Sequence, residues 1–230
     1  MVGLISALIL IPLVGGLALF AAPERNARST ALLVNALAAL DALVLWRHFV
    51  IGAAGIQLVE RHAWIPAIGA EYLVGVDGLS LLLVLLTSLI IPFAFLAQRM
   101  DRGFCALMLI MQSALYGTFT AQNFVLWFLF YEMSLIPAFL LIKIWGGENR
   151  DRAATKFFLY TFLGSVTMLL GFLGIYLARG SFDFATLASL GKNGLLTGKL
   201  CLLHGRIRGS TPRSSTMGGS FHYKFILPGR

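Results

Sequence analysis

The 230-residue chain has little charge and few reactive groups. It carries only 28 Asp, Glu, Lys and Arg side chains, 12% of the total, against 58% apolar residues. A soluble domain of this size needs a polar skin, and so few charges cannot make one. There are two cysteines, Cys105 and Cys201, in no disulfide or metal-type spacing. No phosphate loop and no dinucleotide-type glycine fingerprint is present. The four histidines (48, 62, 204, 222) lie outside the apolar runs, so no bis-histidine haem site is evident. Basic residues exceed acidic ones by 18 to 10, but six of them (Lys199, Arg206, Arg208, Arg213, Lys224, Arg230) fall in the last 32 positions, where no acid occurs. A nucleic-acid partner is therefore not implied by the net charge of +8.

Long apolar runs take the place of the missing charge. Six reach the length of a membrane span, at residues 2–22, 30–50, 76–97, 104–121, 124–144 and 154–178. In lipid every backbone polar group must be satisfied internally, and runs of this length, without 10-residue alternation, select helices over a barrel. The expected fold is all-α, a polytopic membrane protein of about six transmembrane helices in a lipid bilayer. The first run lacks a basic leader and is too long for a cleavable signal, so it reads as a retained helix.

Residues 52–75 break the pattern. Gln57, Glu60, Arg61, His62 and Glu71 are interspersed with apolar and aromatic residues. Strands at 56–65 and 72–76, joined through Pro66 and Gly69, predict an extramembrane hairpin. Eight Lys and Arg flank the loops after helices one, three and five, and four the remaining loops, which predicts an N-terminus outside the cytoplasm.

Glu132 is the informative residue. It sits mid-helix in Phe130-Tyr131-Glu132-Met133-Ser134-Leu135-Ile136-Pro137. An ionised carboxylate there costs about 2.5–3.5 kcal/mol on insertion scales. It can stay protonated or pair with a cation, and a group poised between the two states can carry a proton. Pro137 removes the helical partner of the Met133 carbonyl, and Ser134 adds a hydroxyl, which makes a locally hydrated helix beside the acid. The alternative is a Glu132 that only fixes helix packing. Asp41, in the second span, reads as a protonated acid bonded to a neighbouring helix. Lys143 lies eleven residues beyond Glu132, on the same face but about 16 Å away, and is expected to snorkel to the surface. Lys156 reads as an interfacial anchor, or alternatively as a charge turned toward a proton site. Gly164, Ser165, Gly171 and Gly174 read as small packing residues.

Three stretches carry a resemblance: 130–137 above, Ile144-Trp145-Gly146-Gly147-Glu148-Asn149-Arg150, and Ala153-Ala154-Thr155-Lys156-Phe157-Phe158-Leu159-Tyr160 with Gly164-Ser165. Together with Val76-Asp77-Gly78-Leu79-Ser80, they resemble the chain M (mitochondrial subunit 4) type of proton-translocating NADH–quinone oxidoreductase, respiratory complex I. That resemblance covers residues 1–199. It implies proton translocation by a buried Glu, matching Glu132, paired with a Lys on a later helix. It implies other membrane-arm subunits as partners, a bacterial inner membrane as location and no cofactor in this chain, with NADH, FMN, iron–sulfur clusters and quinone handled by other subunits. Subunits of multisubunit Na⁺/H⁺ antiporters are similar. Residues 200–230 depart from the pattern and read as a basic tail foreign to the family, as from a shifted reading frame. Such a chain is expected to lack competence alone and to act at most as a scaffold.

Overall fold

A computed structural model describes residues 3–21, 23–53, 55–65, 70–97, 101–179, 182–184 and 186–187. The predicted tail at 200–230 lies outside them. Six helices form: α1 (Leu4–Ala21), α2 (Ala27–His48, after a short 3-10 turn Glu24–Asn26), α3 (Gly78–Ala97), α4 (Arg102–Thr120), α5 (Phe124–Trp145) and α6 (Arg150–Arg179). Between α2 and α3 lies an antiparallel hairpin of β1 (Gln57–Ile65) and β2 (Ala70–Val76). All six helices are long and apolar enough to cross a membrane. The chain is thus the mostly helical, multi-pass protein that its apolar runs predict. Helix α6 starts four residues earlier than those runs indicate. Its first turn, Arg150-Asp151-Arg152, is too polar to count as a span, yet an acid in the first turn favours helix initiation.

Helix α4 is the centre of the bundle. It packs against α1, α2, α3 and α5, and it is both the most buried and the least apolar of the six spans. The two properties belong together, because a helix shielded from lipid by its neighbours can carry Gln112, Ser113, Tyr116 and Thr120 inward. Glycines allow the close approach. A Cβ at Gly16 would meet the Ala106 carbonyl oxygen at 2.9 Å, and one at Gly117 would run into the Phe130 ring on α5. Helix α6 packs on α5 and is otherwise exposed, with Leu163, Leu170 and Leu177 on its surface.

The hairpin is tied to the start of α1. The Glu60 carboxylate accepts the backbone N–H of Ile5 at 2.8 Å and of Ser6 at 3.2 Å, and also the Ser6 hydroxyl. A helix N-terminus has unpaired donors and a positive dipole end, so a carboxylate there satisfies both. Gly3 leaves room for it, since a Cβ there would meet the Glu60 carboxyl group and oblige it to move. The Ser6 hydroxyl also lies 2.9 Å from the Tyr72 hydroxyl. Burial pushes the Tyr72 phenol above its ordinary range, so it stays a neutral donor. Strand β2 in turn covers the α4–α5 turn: Gln122 N–H donates to the Leu73 carbonyl at 2.8 Å.

Gly117→Ala is expected to destabilise the α4–α5 contact by about 1–3 kcal/mol, the usual cost of overpacking. Thermal unfolding in detergent checks this, and Phe130→Leu in the same chain should recover part of the loss.

Candidate functional site

Helix α5 starts on Asn123, whose side-chain oxygen accepts the Val125 N–H at 3.0 Å. It then runs unbroken through Pro137 to Trp145. Residues Leu126, Phe130 and Met133 lie on the core side, where Phe130 meets Gly117 of α4. Glu132 lies on another face. At 100° per residue it shares a direction with Phe139, seven residues on, and Phe139 contacts Phe158 of α6 with ring centroids 5.4 Å apart. Glu132 therefore points along the α5–α6 seam. Phe124 and Phe172 close the other end of that seam, stacked at 3.7 Å. The acid sits between these two aromatic pairs.

Its Oε1 is buried and has no hydrogen-bond partner. The Ser134 hydroxyl, beside it in sequence, donates instead to the Tyr131 carbonyl at 2.7 Å. Pro137 is buried and does not interrupt the helix. Lys143 is exposed, its ammonium 5.5 Å from the Phe139 ring centroid, in a cation–π contact at the far end of the same face. Lys156 is exposed in the second turn of α6. Neither lysine is within ion-pair distance of Glu132, since the ion pair found among the described residues is Arg61–Glu71 on the hairpin, at 2.6 Å.

A second polar group was not legible from the sequence. The Gln112 amide donates to Asn35 Oδ1 and to the Tyr116 hydroxyl, both at 2.8 Å. Tyr116 reaches Ser88 at 2.6 Å, and Ser113 donates to the Ile9 carbonyl at 2.7 Å. Four helices are thus stitched together through α4. The available signal was the density of amide and hydroxyl side chains in α4, the least apolar span. Gln112 Oε1 is left without a partner, and so is Asp41 Oδ2. The interhelical bond expected of Asp41 is therefore not made through that oxygen. Asp41 lies seven residues before the end of α2, Gln112 eight before the end of α4, and Glu132 eight after the start of α5. Those ends all face the hairpin, so the three unsatisfied oxygens share one level, roughly 10–12 Å below it. Among the described residues no cluster of three or more His, Cys, Asp or Glu could hold a metal ion.

These features define a class: a multi-pass helical membrane protein with an unpaired acid at mid-span. Residues 121–208, which contain the Glu132 seam, match the family described as NADH:quinone oxidoreductase/Mrp antiporter, transmembrane. The chain is 40% identical over 195 residues to NAD(P)H-quinone oxidoreductase chain 4 2 of Thermosynechococcus vestitus, covering 81% of this chain and 36% of that one. It is 41% identical over 172 residues to NADH-quinone oxidoreductase subunit M of Rhodobacter capsulatus, covering 73% and 33%. A chain of respiratory complex I from Thermus thermophilus superposes with a TM-score of 0.72 at 31% identity, covering 80% of this chain and 39% of that one. Over 73–81% of its length the chain is thus similar to antiporter-like membrane subunits of the complex I subunit M or chain 4 type. It spans about a third of the length of the curated relatives it matches.

Gln112→Leu leaves Asn35 Oδ1 without its donor inside the bundle. A loss of about 0.5–2 kcal/mol is expected, in the range measured for interhelical hydrogen bonds in membranes. The double change Asn35→Leu with Gln112→Leu should cost less than the sum of the single changes, as read by thermal unfolding in detergent.

Proposed function

We propose that this chain forms part of a membrane-arm subunit of a proton-translocating NADH–quinone oxidoreductase, in a bacterial inner membrane, and that Glu132 is its proton-carrying acid. One observation carries this reading: Oε1 of Glu132, a half-buried residue in the family-matched segment, is enclosed mid-span without a hydrogen-bond partner. A carboxyl group in that setting can exchange a proton when a cation or a hydrogen-bond donor approaches. Within the described residues Lys143 and Lys156 are too far along the seam to act as that cation directly. A partner charge from the remainder of a full-length subunit fits the geometry, because α6 leaves the outer side of the seam uncovered. Electron transfer belongs to other subunits, which would hold NADH, FMN, iron–sulfur clusters and quinone. This chain would respond to the charge or shape change they produce.

Pro137 and Ser134 support the acid without touching its free oxygen. The proline leaves the Met133 carbonyl without a helical donor, one residue from Glu132. That carbonyl can accept from water that moves a proton along the seam. Asp41, on α2, is a half-buried acid whose Oδ2 is enclosed without a partner, and it would modulate the field at the same level.

The family description also names the Mrp antiporter, so a cation/proton antiporter subunit is the second reading. Glu132→Gln in the full-length subunit separates the outcomes. NADH-driven acidification of inverted vesicles should fall at least tenfold, with assembly of the complex retained. Undiminished acidification contradicts the role of Glu132, and Na⁺-dependent pH change in vesicles without NADH oxidation favours the antiporter.

A further inference from the structure

Two ring contacts set the antiparallel register of α5 against α6. Phe139 meets Phe158 at 5.4 Å, and Phe124 meets Phe172 at 3.7 Å. Moving seven residues back along α5 from Phe139 reaches Glu132, and moving seven residues forward along α6 from Phe158 reaches Ser165. The two side chains are therefore level. Burial gives an independent sign of the same thing. Among the described side chains of α6, only Ala154 and Ser165 are buried, at 0% and 2% exposure. They are eleven residues apart, the spacing that separates Lys143 from Glu132 on the opposing helix. The side of α6 that carries Ser165 is thus the side turned to α5, while Leu163, Leu169 and Leu170 around it are exposed.

We infer that Ser165 is a positioning residue for Glu132, a switchable hydrogen-bond donor that stabilises the ionised carboxylate during proton transfer. The inference rests on the proton-carrying role proposed for Glu132. The Ser165 hydroxyl donates to the Phe162 carbonyl of its own helix at 2.9 Å. That carbonyl already receives a backbone N–H in the α-helix, so the hydroxyl can leave it at little cost. A hydroxyl hydrogen rotates to suit its neighbour. With Glu132 protonated, Ser165 keeps its bond to Phe162. Once Glu132 is ionised, the hydroxyl turns to it, directly or through one water, and makes the stronger charge-assisted bond. The balance is simple: the proton leaves Glu132, no covalent bond other than its O–H breaks, and Ser165 exchanges one acceptor for another.

The titratable and charged groups on the elements packed against α5 are Arg102, Cys105 and Tyr116 on α4, Arg150, Asp151, Arg152, Lys156, Tyr160 and Tyr176 on α6, and Glu71 and Tyr72 on β2; α5 itself adds Tyr131 and Lys143, and Asp183 lies beside its start. Lys156 lies nine residues along α6 from Ser165, about 14 Å away. Ser165 is an uncharged donor on the opposing helix at the level of the acid.

The test uses the full-length subunit in its assembled complex. Ser165→Ala removes the donor without adding bulk. The pH profile of NADH-driven pumping should move upward by about one unit, because the ionised form of Glu132 is no longer favoured. Ser165→Thr should restore the original profile. An unchanged profile in Ser165→Ala, with Glu132→Gln still abolishing pumping, overturns the role of Ser165 and leaves Glu132 standing. Pumping that survives Glu132→Gln overturns the parent reading instead. The juxtaposition is checked separately with cysteines placed at 132 and 165. These should cross-link faster than cysteines at 132 and 161 or at 132 and 169, and the reverse order contradicts the register.

Discussion

Polar atoms inside an apolar bundle must find partners among themselves, and in this chain α4 is where they do so. Gln112 links α4 to α2 through Asn35, Tyr116 links it to α3 through Ser88, and Ser113 links it to α1 through the Ile9 carbonyl. An unmade hydrogen bond in such surroundings costs more than in water, so these contacts select one arrangement of helices over its near alternatives. The apolar contacts around them are less directional. Leu8, Leu19, Leu45 and Leu109 fill space, and many sliding arrangements would fill it nearly as well. The hairpin adds a clamp from above, through Glu60 on the start of α1 and β2 on the α4–α5 turn.

Glu132, like Asp41, is an acid that the bundle does not fully satisfy. The same chain that bonds Gln112 to two partners leaves the free oxygen of an acid without one. Its position explains why. Glu132 points away from α4 and along the seam with α6, the one described helix that covers only one side of its neighbour. Aromatic pairs close the seam on both sides of the acid, Phe124 with Phe172 and Phe139 with Phe158.

Much of this was legible in the residues. Six spans, the hairpin and the mid-span acid follow from run length, alternation and the rarity of carboxylates in apolar helices. The start of α6 was displaced because hydropathy marks where lipid begins and a helix can begin earlier, on Arg150. The α4 network was not legible, because amide and hydroxyl side chains do not announce which helix they meet. Glu60 looked like one more polar residue of a hairpin, and only the fold brings it 55 positions back to cap α1 at Ile5. Ser165 read as a small residue for close packing. Its chemistry emerges from the antiparallel register, which no single-helix pattern contains. The resemblance to antiporter-like subunits pointed to Glu132 and said nothing of what faces it across the seam.

The central claim is that Glu132 changes protonation as the assembled complex turns over. Infrared difference spectroscopy of the full-length complex, before and after reduction by NADH, addresses it most directly. The expected result is a carboxylic-acid carbonyl band that changes between the two states and is missing from the Glu132→Gln complex. A difference spectrum in which Glu132→Gln leaves every carboxyl band in place would contradict it.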